Sequence, residues 1–214
     1  MGDSPIPARR RRSMVLALSL LGPWLAATPA LAQMPAHSLM LAWILEAKDN
    51  AGAPFVIVDK SGAQIMVFDG AGRLQGASPV LLGSAKGDDS TPGIGERKLS
   101  EIAPEERTTP AGRFVAALGR NLGKDDVLWV DYDTAISMHR VITGGVKDRR
   151  LQRLATPSPL DNRISYGCIN VPVAFFEQIV RPAFLATEGV VYVLPETKPI
   201  SEVFAALPAH PETR

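Results

Sequence analysis

The chain has 214 residues, 23 Lys and Arg against 22 Asp and Glu, three histidines and one cysteine. A net charge of +1 makes no electrostatic case for binding nucleic acid or an anionic membrane surface. A single cysteine excludes an internal disulfide, and with only one central histidine beside it there is no zinc ligand set.

Residues 1–32 read as an export signal. Arg9 to Arg12 form a basic head, Met14 to Leu21 an apolar stretch extended by Trp24 and Leu25, and Ala30-Leu31-Ala32 a small-residue cleavage site before Gln33. Gly22, Pro23 and Pro29 interrupt the apolar run short of the roughly 20 residues a membrane span needs, so no span is expected after cleavage. Four arginines and one aspartate leave with the signal, and 19 basic and 21 acidic residues remain. A periplasmic location is expected.

Ser38 to Lys48 is the first predicted helix, capped by Ser38, with Leu39, Ala42, Trp43 and Leu45 on its apolar face. Phe55 to Asp59 and Gln64 to Phe68 read as strands joined by a Lys60-Ser61-Gly62 turn, and Ser78 to Gly83 as a third strand. Residues 84–112, rich in Gly, Pro, Ser and acidic residues, form a long excursion. Strands follow at Phe114 to Leu118, Val127 to Tyr132 and Ala135 to His139, then a second irregular stretch over 143–164 with Lys147, Arg149, Arg150 and Arg153. A helix is expected over Pro172 to Phe184, a last strand over Val190 to Leu194, and a short helix near Glu202 to Leu207. Helices do not alternate with strands, so the pattern is mostly β with a few short helices.

Cys168 lies in Arg163-Ile-Ser-Tyr-Gly-Cys-Ile-Asn-Val-Pro172. Thiols in oxidising compartments are usually paired, so an unpaired exported thiol points to chemistry. A thiol attacks carbonyls as thiolate and needs a base within reach. His37 lies beside the cleavage site and His210 in the Pro-rich tail, which leaves His139 as the candidate partner. A main-chain carbonyl such as that of Arg140 is a candidate to orient the imidazole. The backbone N–H groups of Gly167 and Cys168 are the candidate oxyanion donors, with Ser165 and Tyr166 in the same turn. Asn170 either steadies the cysteine loop or caps the helix opened by Pro172. Trp129 is assigned to the core and Arg113 to a surface turn.

At these residues the chain resembles the L,D-transpeptidase catalytic domain family of bacterial cell-wall enzymes. The family pattern is a histidine, a spacer, then Ser/Thr-His-Gly-Cys, an apolar residue and Asn or Arg. Here it reads His139, then Ser165-Tyr166-Gly167-Cys168-Ile169-Asn170. The strand pair around Asp59 and Gln64, the Pro79-Val80 strand and the Thr109-Pro-Ala-Gly-Arg-Phe114 turn also have counterparts. The resemblance covers residues 54–195, with a helical segment over 33–53 before it and a Pro-rich tail over 196–214 after it. It implies a β-rich sandwich or barrel-like fold, peptidoglycan stem peptides as partners and no cofactor. Cys168 would attack the amide after the third stem residue, release the terminal D-alanine, and pass the acyl group to an amine or to water, with His139 moving the proton. Tyr166 stands where the family has histidine, and the spacer after His139 is longer than the family's. Tyr132, Arg140 and Arg163 are the candidate substrate-binding residues, and the basic stretch over 143–164 is either a carboxylate-binding flap or a solvated loop. A hydrolase on the same scaffold (an L,D-carboxypeptidase or an amidase) and a non-catalytic cell-wall binding module are the alternatives.

Overall fold

The first hairpin shows how the core is divided. Strand β1 (Phe55–Asp59) has its first four residues buried, because both faces of the sheet are covered. Alternation sends Val56 and Val58 to one apolar cluster with Ile65 and Val67 of β2 (Gln64–Phe68). Phe55 and Ile57 go to the other cluster with Met66 and Phe68. The computed structural model describes residues 1–2, 34–143 and 145–205. The expected signal lies outside these from residue 3 onward, as do residues 206–214 of the tail.

Helix α1 (Ala36–Ala47) covers the second cluster with Met40 and Ile44, one turn apart. This differs from the expected face: Leu45 is exposed and Leu39 and Trp43 are half-buried. Ser38 lies inside the helix, and Pro35 is at its N-cap. Phe204, just after α5 (Ile200–Val203), closes the same cluster. Among the described residues no helix is long and apolar enough to cross a membrane.

The fold is mostly β, as the sequence pattern predicts. Strands β3 (Leu74–Pro79), β4 (Leu82–Gly83), β5 (Gly112–Arg120), β6 (Asp126–Asp131), β7 (Ile136–Arg140), β8 (Arg163–Ser165), β9 (Ile169–Val171) and β10 (Gly189–Val193) complete the set. Eight of them form one sheet in the order β3-β2-β1-β10-β5-β6-β7-β9, and β4 pairs with β8. The third strand expected over 78–83 is two pieces. Pro79 has no N–H, and there the ladder with β2 ends. Val80 N–H still reaches the Ala63 carbonyl at 3.0 Å, and the next residue, Leu81, exchanges two backbone hydrogen bonds of 2.9 Å with Asn170 of β9. The segment after β3 thus reaches the strand at the other end of the order and curls the sheet toward a barrel.

The helical run expected over 172–184 is divided. Helix α3 (Val173–Phe175) leads into a π-helical stretch (Phe176–Val180) and then α4 (Arg181–Phe184). Pro182 has no N–H to donate four residues back, and the wider turn before it accommodates the missing bond. Phe176, Val180 and Phe184 fill the first cluster. The stretch 143–164 is more ordered than expected: it folds α2 (Arg150–Ala155), whose Leu154 packs with Leu81, Val141 and Ile164.

Lys60, in the turn between β1 and β2, is wholly buried. Its ammonium donates to the Gly87 carbonyl (2.6 Å), Asp88 Oδ1 (2.6 Å) and the Thr109 carbonyl (2.8 Å), which uses all three protons. Burial pushes the Lys60 ammonium down from its ordinary value against the pull of Asp88. Burial also opposes ionisation of Asp88, yet hydrogen bonds from Lys60, Thr197 and the Glu196 and Thr197 backbone hold its carboxyl well below the usual range. Both ends of the 84–112 excursion and the segment after β10 therefore meet at one ion pair.

Candidate active site

Two parallel strands build the site. In the register of β7 and β9, Met138 faces Ile169 and His139 faces Asn170. Side chains alternate along each strand. Met138, Ile169 and Val171 enter the core. Ser137 and His139 on β7, and Asn170 with the preceding Cys168, take the opposite face. One periodicity therefore serves both packing and chemistry.

His139 Nδ1 lies 2.8 Å from the Arg140 carbonyl. A carbonyl only accepts, so Nδ1 carries the proton and Nε2 is left as the acceptor. The imidazole lies on the same face as the Cys168 sulfur, and each group acts on the ionisation of the other. Cys168 is partly exposed. Its Sγ also lies 3.7 Å from Ser137 Oγ and 3.7 Å from the Ala135 carbonyl. Burial disfavours both charges. It is outweighed by the pairing, so the thiol is shifted down and the imidazole up. The two directions agree: each group favours the charged form of the other.

The cysteine turn is braced from three sides. Ser165 Oγ accepts from Gly167 N–H (3.0 Å) and donates to the Cys168 carbonyl (2.7 Å). Thr109 Oγ1 donates to the Gly167 carbonyl (2.8 Å) and accepts from Gly83 N–H (2.9 Å). Gly167 has φ +131°, and a Cβ there would lie 2.7 Å from both Ile136 Cδ1 and the Thr108 carbonyl. No side chain fits.

Several expected residues sit elsewhere. Gly167 N–H is committed to Ser165 Oγ, so of the two expected oxyanion donors Cys168 N–H is the one without that engagement. Asn170 does not cap the next helix, where Pro172 holds the N-cap. Its Nδ2 lies 3.2 Å from the Cys168 carbonyl and 3.5 Å from His139 Nε2. The Arg140 guanidinium lies 4.3 Å over the Phe176 ring and donates to Glu177 (2.5 Å) and the Asp126 carbonyl (2.8 Å). It has the strand parity of core-facing Met138, not that of His139. Arg163 pairs with Glu196 and donates to the Lys60 carbonyl at 2.9 Å. Arg113, expected in a surface turn, lies in β5 and pairs with Asp49 at 2.6 Å. Tyr132 is exposed and lies against Trp129 with the rings tilted by 57° (centroids 4.9 Å apart), in the turn whose Ala135 carbonyl meets the thiol.

Tyr166 is partly exposed beneath the Arg107 guanidinium, 4.2 Å from its ring. Arg107, Thr109, Ser137 and Arg150 were not picked out as site residues from sequence. For Ser137 the signal was present, two residues before His139 on one strand face. A cleft of about 620 Å³ opens beside Ser137 and His139, with Arg120, Lys124 and Asp126 on its walls.

No protein-family model and no curated protein matches the chain. Solved structures similar to it include the helical cell shape determining protein Pgp2 from Campylobacter jejuni, at 16% identity and a TM-score of 0.47 over 68% of this chain and 49% of that one. An L,D-transpeptidase from Mycobacterium tuberculosis H37Rv aligns at 16% identity and a TM-score of 0.42 over 66% and 57%. The L,D-transpeptidase Yku from Stackebrandtia nassauensis aligns at 14% and 0.38 over 67% and 56%. This chain spans about half the length of these proteins.

Proposed function

We propose that the protein is an exported cysteine acyltransferase of the L,D-transpeptidase type, acting on peptidoglycan stem peptides in the periplasm. The observation that carries the reading is the placement of His139 and Cys168 on one face of the β7–β9 pair, with Nδ1 tied to the Arg140 carbonyl and Nε2 left as the acceptor. The motif around Cys168 supplies the substrate class.

In this reading the Sγ proton passes to His139 Nε2 and the thiolate attacks the carbonyl carbon of the amide after the third stem residue. Cys168 N–H stabilises the oxyanion. The C–N bond breaks, His139 returns the proton to the leaving amine, and a thioester remains on Cys168. An acceptor amine then forms a crosslink, or water releases a trimmed stem. The cleft beside Ser137 and His139 receives the peptide; Tyr166 lies in the turn that carries the thiol, and Tyr132 in the turn whose Ala135 carbonyl meets it.

Incubation with tetrapeptide-stem muropeptides tests this. Crosslinked dimers between third residues support transfer, and tripeptide monomers alone support a hydrolase. The absence of any product, together with no mass adduct after carbapenem exposure, refutes both.

A further inference from the structure

A guanidinium donates hydrogen bonds and never accepts them. Arg150 Nη1 lies 2.8 Å from Asn170 Oδ1, so the oxygen end of that amide is turned to Arg150. Its NH2 end faces the other way, toward the Cys168 carbonyl and His139 Nε2. The two ends of an amide are nearly identical in shape, and hydrogen bonding decides which points where. Reversed, the oxygen would face Nε2 and accept from a protonated imidazole.

Arg150 is itself fixed in place. It opens α2, its Nε lies 3.1 Å from Asp148 Oδ2, and its side chain is mostly buried. The helix is seated by Leu154 against Leu81 and Val141. The groups facing the imidazole are the Cys168 thiol, the Asn170 amide and the Arg140 carbonyl. Arg120, Lys124, Asp125 and Asp126 line the cleft that His139 also lines; the Arg140 guanidinium is turned to Glu177 and the Asp126 carbonyl, and Arg150 is the cation that reaches the Asn170 amide.

We infer that Arg150 is a positioning residue for the cysteine–histidine pair: it locks the Asn170 amide with its NH2 group against His139 Nε2. This weakens the hold of the imidazole on the proton taken from Cys168 and readies that proton for the leaving amine. The stretch over 143–164 thereby gains a role in the site. The inference rests on the thiol–imidazole pair proposed above.

The test is the pH dependence of Cys168 alkylation by iodoacetamide, with NMR titration of the His139 imidazole, in the full chain. Arg150→Met removes both the charge and the lock. The His139 titration is expected to rise by about half a unit or more, and the alkylation midpoint to move the same way. Arg150→Lys restores most of the wild-type profile. Where thermal melting shows that Arg150→Met does not fold, Arg150→Gln replaces it and gives a smaller rise in the same direction. Unmoved titration in a folded charge-removing variant overturns the inference and leaves the pair intact. An ordinary thiol profile in the wild type, unchanged by His139→Ala, overturns the pair itself.

Discussion

The buried ammonium of Lys60 donates to the carbonyl of Thr109 at 2.8 Å, and the hydroxyl of the same threonine holds the carbonyl of Gly167, next to the thiol. A charge in the interior is thus two hydrogen bonds from the cysteine turn. Removing Lys60 leaves Asp88 buried without its partner. Lys60→Met is expected to cost about 3–5 kcal/mol of stability, read from urea unfolding. Asp88→Asn, which keeps the shape, is expected to cost less.

Acid acts on the same pair. The Asp88 carboxyl is held below its usual range, so its contribution is complete above the ordinary aspartate value of about 3.9 and is lost as pH falls through the folded value. Unfolding free energy measured from pH 5 downward should fall faster in the wild type than in Asp88→Asn. Parallel curves count against the assignment.

Thr109→Val removes the link between Gly83 N–H and the Gly167 carbonyl while keeping the side-chain shape. Both groups are left short of a partner, which is expected to destabilise the fold by about 1–3 kcal/mol. Slower alkylation of Cys168 should accompany it, because the turn loses one of its braces. An unchanged alkylation rate alongside a lowered melting temperature would restrict Thr109 to stability.

His139→Ala tests the pair directly. With the imidazole present, the thiol is shifted down and reactive thiolate persists below the ordinary thiol value of about 8.5. Without it, burial pushes the thiol up against the pull of the Ser137 hydrogen bonds alone. Alkylation at pH 7 is expected to slow by at least about tenfold, and its midpoint to move to or above the ordinary value.

Arg140 separates a structural residue from a substrate-binding one. Arg140→Gln loses the contact with Phe176 and the pair with Glu177, so the melting temperature should fall. KM for a stem peptide should not change. A rise in KM at unchanged stability would return Arg140 to the substrate.

The hairpin of β1 and β2 and the placement of His139 at a strand end were legible because a period of two and turn residues are local signals. The same period, carried further, separates Arg140 from His139 by face. Arg140, a candidate for substrate binding by sequence, so takes the face of Met138. Lys60 reads as a turn residue, since nothing near it in sequence announces Asp88 or Thr109. The ties from Thr109 to Gly167 and from Arg150 to Asn170 join distant segments and follow from the closing of the sheet, which no short window contains. Asn170 kept two readings for the same reason: its neighbours in sequence favour a cap, and its neighbours in space are His139 and Arg150.

The paired backbone bonds between Leu81 and Asn170 occupy the outer side of β9. A strand at the end of a sheet normally offers unpaired N–H and C=O groups to other chains, and with them a route to aggregation. At Asn170 that side is already taken by the protein's own chain. The strand that follows the thiol therefore presents no open edge at Asn170 for another extended chain to join.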